Sequence, residues 1–189
     1  MMQGWNLYHK SVVAALSALV FSVFLKLIVS IEGGQLLVSK EIYIQKSAQE
    51  VWPYLHQNAL RKKWEAHLLD ASKLMGDSTE PGSRRFLFWR NENKKRWSGV
   101  EETYEVLPYA KFSVLRQSDR MDRKFDMEII AIDAENSKVI LTEYTDFTNY
   151  IDRFWSFTMK EAFSNRLELS LEALKSWLEN NGIRQEKSG

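Results

Sequence analysis

The sequence predicts an α+β fold in which a curved antiparallel sheet wraps one long C-terminal helix. Two observations lead there. Six strand-like runs between residues 67 and 147 are separated by short turn-forming spacers, which argues for hairpins and a meander. Beyond residue 153 the apolar period changes: Phe163, Leu167, Leu171, Leu174 and Leu178 follow 4-4-3-4 spacing, one helical stripe facing a sheet.

The chain opens differently. From Val12 to Ile31, thirteen of twenty residues are Val, Leu, Ile or Phe, and as a helix they would cover about 30 Å, the hydrocarbon thickness of a bilayer. Their summed insertion free energy is on the order of −4 to −8 kcal/mol, against about 2.5–3.5 kcal/mol for a central Lys. Lys26 lies near one end, where its stem lets the ammonium reach the interface. A retained single-pass anchor is therefore the expectation. The rivals are a cleaved signal peptide, which the bulky Leu27–Ile31 run disfavours at the cleavage position, and a helix buried in the domain. Flanking charges are balanced, so orientation stays open.

Gly33-Gly34 then reads as a link, dividing the chain into a tail and anchor (1–34), a domain (35–182) and a flexible C-terminal tail (183–189). In the domain, Leu36, Val38, Ile42 and Ile44 share one parity, with Lys40 the exception, as in a half-buried strand. Ser47 with Glu50 forms a capping box for a helix burying Val51, Trp52 and Leu55. Asn58 is expected to cap a second short helix ending at Trp64. Strands follow at 67–75, 84–90, 95–106, 111–117, 124–132 and 138–147. The final helix is expected over 153–180, with Asn181-Gly182 ending it.

Three stretches carry a resemblance. "EIYIQKSAQEVWPYLHQNALRKKWEAHL", "TYEVLPYAKFSVLRQ" and "FTMKEAFSNRLELSLEALKSWLE" resemble the opening strand and helices, the middle strand pair and the closing helix of the START-like (SRPBCC, polyketide cyclase/dehydratase, Bet v 1-like) superfamily. The resemblance covers about residues 36–180 and looks like a membrane-anchored member. It implies a helix-grip fold, with a tunnel for an apolar ligand between sheet and helix.

Large side chains on strands or at the helix start supply candidates for that lining: Trp89, Val100, Tyr104, Phe112, Phe125, Met127, Tyr144, Trp155, Phe163 and Leu167, together with Glu102 as a possible buried carboxylate on the Val100–Val106 face. The bland reading is that the rings fill a core and Glu102 pairs with an Arg at the surface. Of Arg84 and Arg85, one must face solvent, and the other is a candidate for a ligand head group.

Several chemistries find no support. Cys is absent, and His9, His56 and His67 have no metal-ligand spacing. No nucleophile signature, phosphate loop or dinucleotide fingerprint occurs, and the net charge of +1 comes from mixed signs, so no cofactor, metal or nucleic acid is expected. The basic run Lys94–Arg96 reads as a solvated turn, or a contact for anionic lipid. The leading reading is a membrane-anchored binding module for a lipid-like or other hydrophobic small molecule. The alternatives are a cyclase/dehydratase-type enzyme, for which no acid/base pair can be named, and a protein-binding adaptor.

Overall fold

In the computed structural model, residues 7–31, 35–90, 95–118 and 121–186 are described. Helix α1 (Leu7–Ile31) leads into β1 (Gln35–Ile44), α2 (Ala48–His56) and α3 (Asn58–Trp64). Six strands follow: β2 (Leu68–Met75), β3 (Arg84–Arg90), β4 (Arg96–Leu107), β5 (Lys111–Gln117), β6 (Met121–Ala131) and β7 (Ser137–Phe147). The last element is α4 (Tyr150–Glu186). The seven strands form one sheet in the order β1-β7-β6-β5-β4-β3-β2, antiparallel throughout. From β2 to β7 the path is a meander. β1 comes round to pair with β7, Gln35 opposite Asp146 and Ile44 opposite Ser137.

Local chemistry places the small helices as expected, with one exception. Ser47 Oγ accepts from the Glu50 backbone N–H at 3.3 Å, and Glu50 Oε2 accepts from the Ser47 N–H at 3.0 Å, a closed capping box. Val51, Trp52 and Leu55 are buried, and Trp64 Nε1 donates to the Tyr54 carbonyl at 2.7 Å. Asn58, however, does not cap α3; Gln57 takes the N-cap position without a side-chain bond. The Asn58 amide is engaged elsewhere, accepting from Arg85 Nη1 at 3.2 Å and donating to the Ala71 carbonyl.

α4 also departs from expectation. It starts at Tyr150 and runs through Asn181-Gly182 to Glu186, so the expected stop at Asn181-Gly182 is not found. A single Gly costs a helix only about 1 kcal/mol, and Ile183, Arg184, Gln185 and Glu186 can continue it. Leu167, Leu171, Leu174 and Leu178 are all buried, in one cluster with Ile44, Val51, Leu55, Val139 and Leu141.

β4 contains the irregularity that matters most for the site. Its pairing with β5 shifts between Thr103 and Glu105, so a β-bulge at Tyr104 reverses which parity faces inward. Before the bulge Glu101 and Thr103 are buried; after it Val106 packs against the core.

Along α1, Leu16, Leu19, Val20, Phe21 and Phe24 are exposed, which counts against a helix buried in the domain. Among the described residues no helix is long and apolar enough to cross a membrane. The expected span over 12–31 includes residues 27–31, whose side chains lie outside the described ones, as do the Gly33-Gly34 link, Lys94 of the basic run and the side chain of His9.

Candidate ligand cavity

Between the concave face of the sheet and the N-terminal half of α4 lies a cavity of about 440 Å³. Its apolar wall comprises Trp89 from β3, Phe125 and Met127 from β6, Leu141 from β7, and Phe163 and Leu167 from α4. Met159, Ala162, Arg166 and Ser170 add further α4 positions at helical spacing. Trp64, Glu65, Ala66 and His67 bring the end of α3 and the following turn to the opposite side. His67 has φ of 70°, an uncommon conformation for a residue with a Cβ. The Trp89 ring is accommodated by Gly99, where a Cβ would stand 3.2 Å from Trp89 Cζ3 and 3.0 Å from the Gln117 carbonyl oxygen.

A band of charge crosses this concave face. The registers place Arg85 opposite Glu101, Glu101 opposite Arg116, Arg116 opposite Arg123 and Arg123 opposite Thr145. From α3, the fully buried Arg61 grips Glu101 with Nη1 at 2.6 Å and Nη2 at 3.0 Å, while Nε and Nη2 also donate to Glu65 Oε2. Arg116 Nε donates to Glu101 Oε2 at 2.7 Å and its Nη2 to Glu65 Oε1. Arg85 Nε lies 3.4 Å from Glu101 Oε1, with Nη2 donating to Thr103 Oγ1 at 2.8 Å. One strand further, the buried Glu143 receives a hydrogen bond from Arg166 of α4 and one from Thr145 Oγ1.

These pairings decide the protonation states. Burial alone would raise the carboxyl pKa values of Glu101 and Glu65. Arg61 and Arg116 overcome that and hold both groups below the usual carboxylate range, so they stay ionised. Burial opposes the charge on Arg61 as well, but Glu101 and Glu65 beside it raise its pKa above the ordinary value. Arg85 and Arg123 differ: burial pushes each guanidinium down to about 10, with Glu101 and Glu143 respectively opposing it. The rings beneath are used too, since Phe125 has Arg116 at 4.2 Å, Arg123 at 5.8 Å and Arg166 at 5.9 Å from its centroid.

Of the residues proposed from sequence, Trp89, Phe125, Met127, Phe163 and Leu167 border the cavity. Phe112 is fully buried away from it, with Trp52 and His56 against its ring. Val100, Glu102 and Tyr104 do not border it. The β4 bulge means that Val106 faces the core while the even positions before it face outward, so Tyr104 is exposed and Glu102 pairs with Arg84 at 2.7 Å on the outer surface. Tyr144, opposite Lys124, and Trp155 are exposed as well. The buried carboxylate of β4 is Glu101, one residue before the one proposed.

Glu65, Glu101, Glu143, Arg61, Arg116, Arg123 and Arg166 were absent from the sequence reading, although a signal existed. Three of the four strand members interrupt an apolar alternation at the inward parity: Arg116 after Phe112 and Val114, Arg123 before Phe125 and Met127, Glu143 after Val139 and Leu141. His56 is buried, its Nδ1 3.0 Å from the Trp52 carbonyl, and burial pushes its pKa below the ordinary value. No cluster of three or more metal-ligating side chains occurs among the described residues.

Comparison with solved structures bears on this architecture. A START superfamily protein from Mycobacterium smegmatis superposes with a TM-score of 0.65 at 13% identity, over 77% of this chain and 98% of its own. The ZhuI aromatase/cyclase from Streptomyces superposes with a TM-score of 0.63 at 13% identity, over 77% and 94%. The di-domain aromatase/cyclase BexL gives 0.60 at 14% identity, over 76% of this chain and 46% of that one. The fold is START-like. At the level of sequence, no family model matches the chain and no curated protein does. The cavity described above lies between the sheet and the closing helix.

Proposed function

We propose that the protein is a binding module that takes a lipid-like or other hydrophobic small molecule into the cavity between the sheet and α4. The observation carrying this reading is the cavity itself, walled by Trp89, Phe125, Met127, Leu141, Phe163 and Leu167. A concave apolar site with a few converging polar groups suits a small apolar ligand. Cyclisation or dehydration of such a ligand, the second reading, is favoured by the likeness to aromatase/cyclases. It requires a group that gives or takes a proton. Glu65 and Glu101 are committed to guanidiniums that keep them ionised, and this supports binding over turnover.

The same proposal extends to α1. Its exposed Leu16, Leu19, Val20, Phe21 and Phe24 form an apolar surface that a bilayer would cover, anchoring the cavity beside the phase in which hydrophobic ligands partition. Native mass spectrometry of the detergent-purified full chain, with extraction and analysis of lipids, tests the binding reading. A stoichiometric apolar passenger is expected. A protein that emerges empty, and stays empty when offered apolar ligands, would overturn it.

A further inference from the structure

We infer that the ligand is an amphipathic anion: an apolar tail along Phe125, Met127, Leu141 and Phe163, with one carboxylate or phosphate-type head group received by Arg123 and the Trp89 indole N–H. This deepens the proposed binding function and rests on it. Three observations point the same way.

The first is charge balance. Arg61, Arg85, Arg116, Arg123 and Arg166 meet Glu65, Glu101 and Glu143 along the concave face, with Arg123 and Arg166 only partly exposed, which leaves guanidinium in excess among these groups. Uncompensated charge away from water is costly, and an incoming anion removes that cost.

The second is how unevenly the charges are paired. Arg61 makes four hydrogen bonds, and Arg116 bonds to both Glu101 and Glu65. Arg123 instead has Glu143 Oε1 at 3.6 Å, beyond hydrogen-bond distance, and that carboxylate is already shared with Arg166 and Thr145. Across the sheet Arg123 faces Arg116, a like charge, and burial brings its pKa down to about 10. It is the guanidinium most in need of an acceptor.

The third is the Trp89 indole. Its Nε1 is buried with no hydrogen-bond partner, while the Arg123 guanidinium lies over the same ring at 5.5 Å from the centroid. Both residues border the cavity. A donor N–H and a guanidinium lining one cavity, with Glu65, Glu101 and Glu143 already engaged, call for an acceptor that carries negative charge.

The test is a displacement titration on the full chain in detergent at neutral pH, using an apolar fluorescent probe. The competitors are dodecanoate, dodecyl phosphate, dodecanol, dodecyltrimethylammonium and inorganic phosphate. The two amphipathic anions are expected to compete about ten- to a hundredfold better than dodecanol, the range of a charge-assisted hydrogen bond. Dodecyltrimethylammonium and inorganic phosphate should compete weakly. Arg123→Gln should bring the affinity for the anions down to that for dodecanol, Arg123→Lys should keep part of the preference, and Trp89→Phe should reduce it. Because Arg123 is poorly compensated, the Gln variant should melt no lower than the parent. Equal competition by dodecanol and dodecanoate would overturn the head-group inference while leaving apolar binding in place, and so would a preference that survives Arg123→Gln. Inorganic phosphate competing as well as dodecyl phosphate would overturn the amphipathic character. Failure of the probe and all tailed competitors to bind would overturn the binding function itself.

Discussion

The two halves of α4 carry one stripe but face different interiors. Toward the C-terminus, Leu171, Leu174 and Leu178 are buried in continuous hydrocarbon with Ile44, Val51, Leu55 and Val139. Toward the N-terminus, Met159, Ala162, Phe163 and Arg166 face open volume, and the opposing strands present guanidiniums and carboxylates. Where side chains interdigitate there is no room for a ligand and no polar group to satisfy. Where the helix stands off, charge can be held, each group constrained by its neighbours rather than by packing. One helix thus provides stability at one end and a site at the other.

The largest effect should come from breaking the charged half. Glu101→Ala leaves Arg61 and Arg116 without a major partner in the interior and is expected to cost about 3–5 kcal/mol in urea unfolding. A cost under about 1 kcal/mol would mean the network is effectively solvated. The same carboxylates predict the acid response. Since the folded pKa values of Glu65 and Glu101 lie below the ordinary carboxylate value of 4.5, their contribution is present above that pH. It should be lost as the pH falls from there through their folded values, because the unfolded chain takes up protons first. Glu101→Gln should flatten that part of the stability profile.

Leu174→Ala probes the packed half. It removes a fully buried side chain and should cost about 2–5 kcal/mol with no change in probe affinity. Phe163→Trp probes the open half: enlarging a half-buried ring beside the cavity should cost less than the usual 1–3 kcal/mol of overpacking, or about zero, and should weaken probe binding. Destabilisation equal to a core insertion, with unaltered probe binding, would dissolve the contrast between the halves. The smallest effect belongs outside both. Arg84→Ala breaks an ion pair whose side chains are 54% and 38% exposed, and thermal melts should register below about 1 kcal/mol.

The architecture was legible in the sequence because it rests on periodicity: the Leu stripe, the strand alternation and the Ser47–Glu50 box are local signals that tertiary context did not override. The site was legible only where it is apolar. Phe125, Met127 and Phe163 follow from their parity or stripe, whereas Val100, Glu102 and Tyr104 were placed inward by extending the parity of Val106 through a bulge at Tyr104 that no Gly or Pro announces. The charged band escaped for a different reason. Glu101, between Gly99 and Thr103, looks like a surface residue; only the register brings it opposite Arg116, and only α3 adds Arg61. Pairing across strands is long-range information that a one-dimensional pattern does not carry.

The strand order also has a consequence for how the chain assembles. β1 emerges first, but its hydrogen-bonding partner is β7, the last strand made. The hairpins from β2 onward can close as they appear, each over a short loop. β1 must wait for the whole meander, and closing that long loop delays contacts that reward it. In the interval the chain holds an unpaired strand bearing Leu36, Val38 and Ile44 next to the apolar α1, the kind of edge that recruits a neighbouring chain. Delivering α1 to a bilayer during synthesis would fix one end of that waiting strand and keep nascent copies apart.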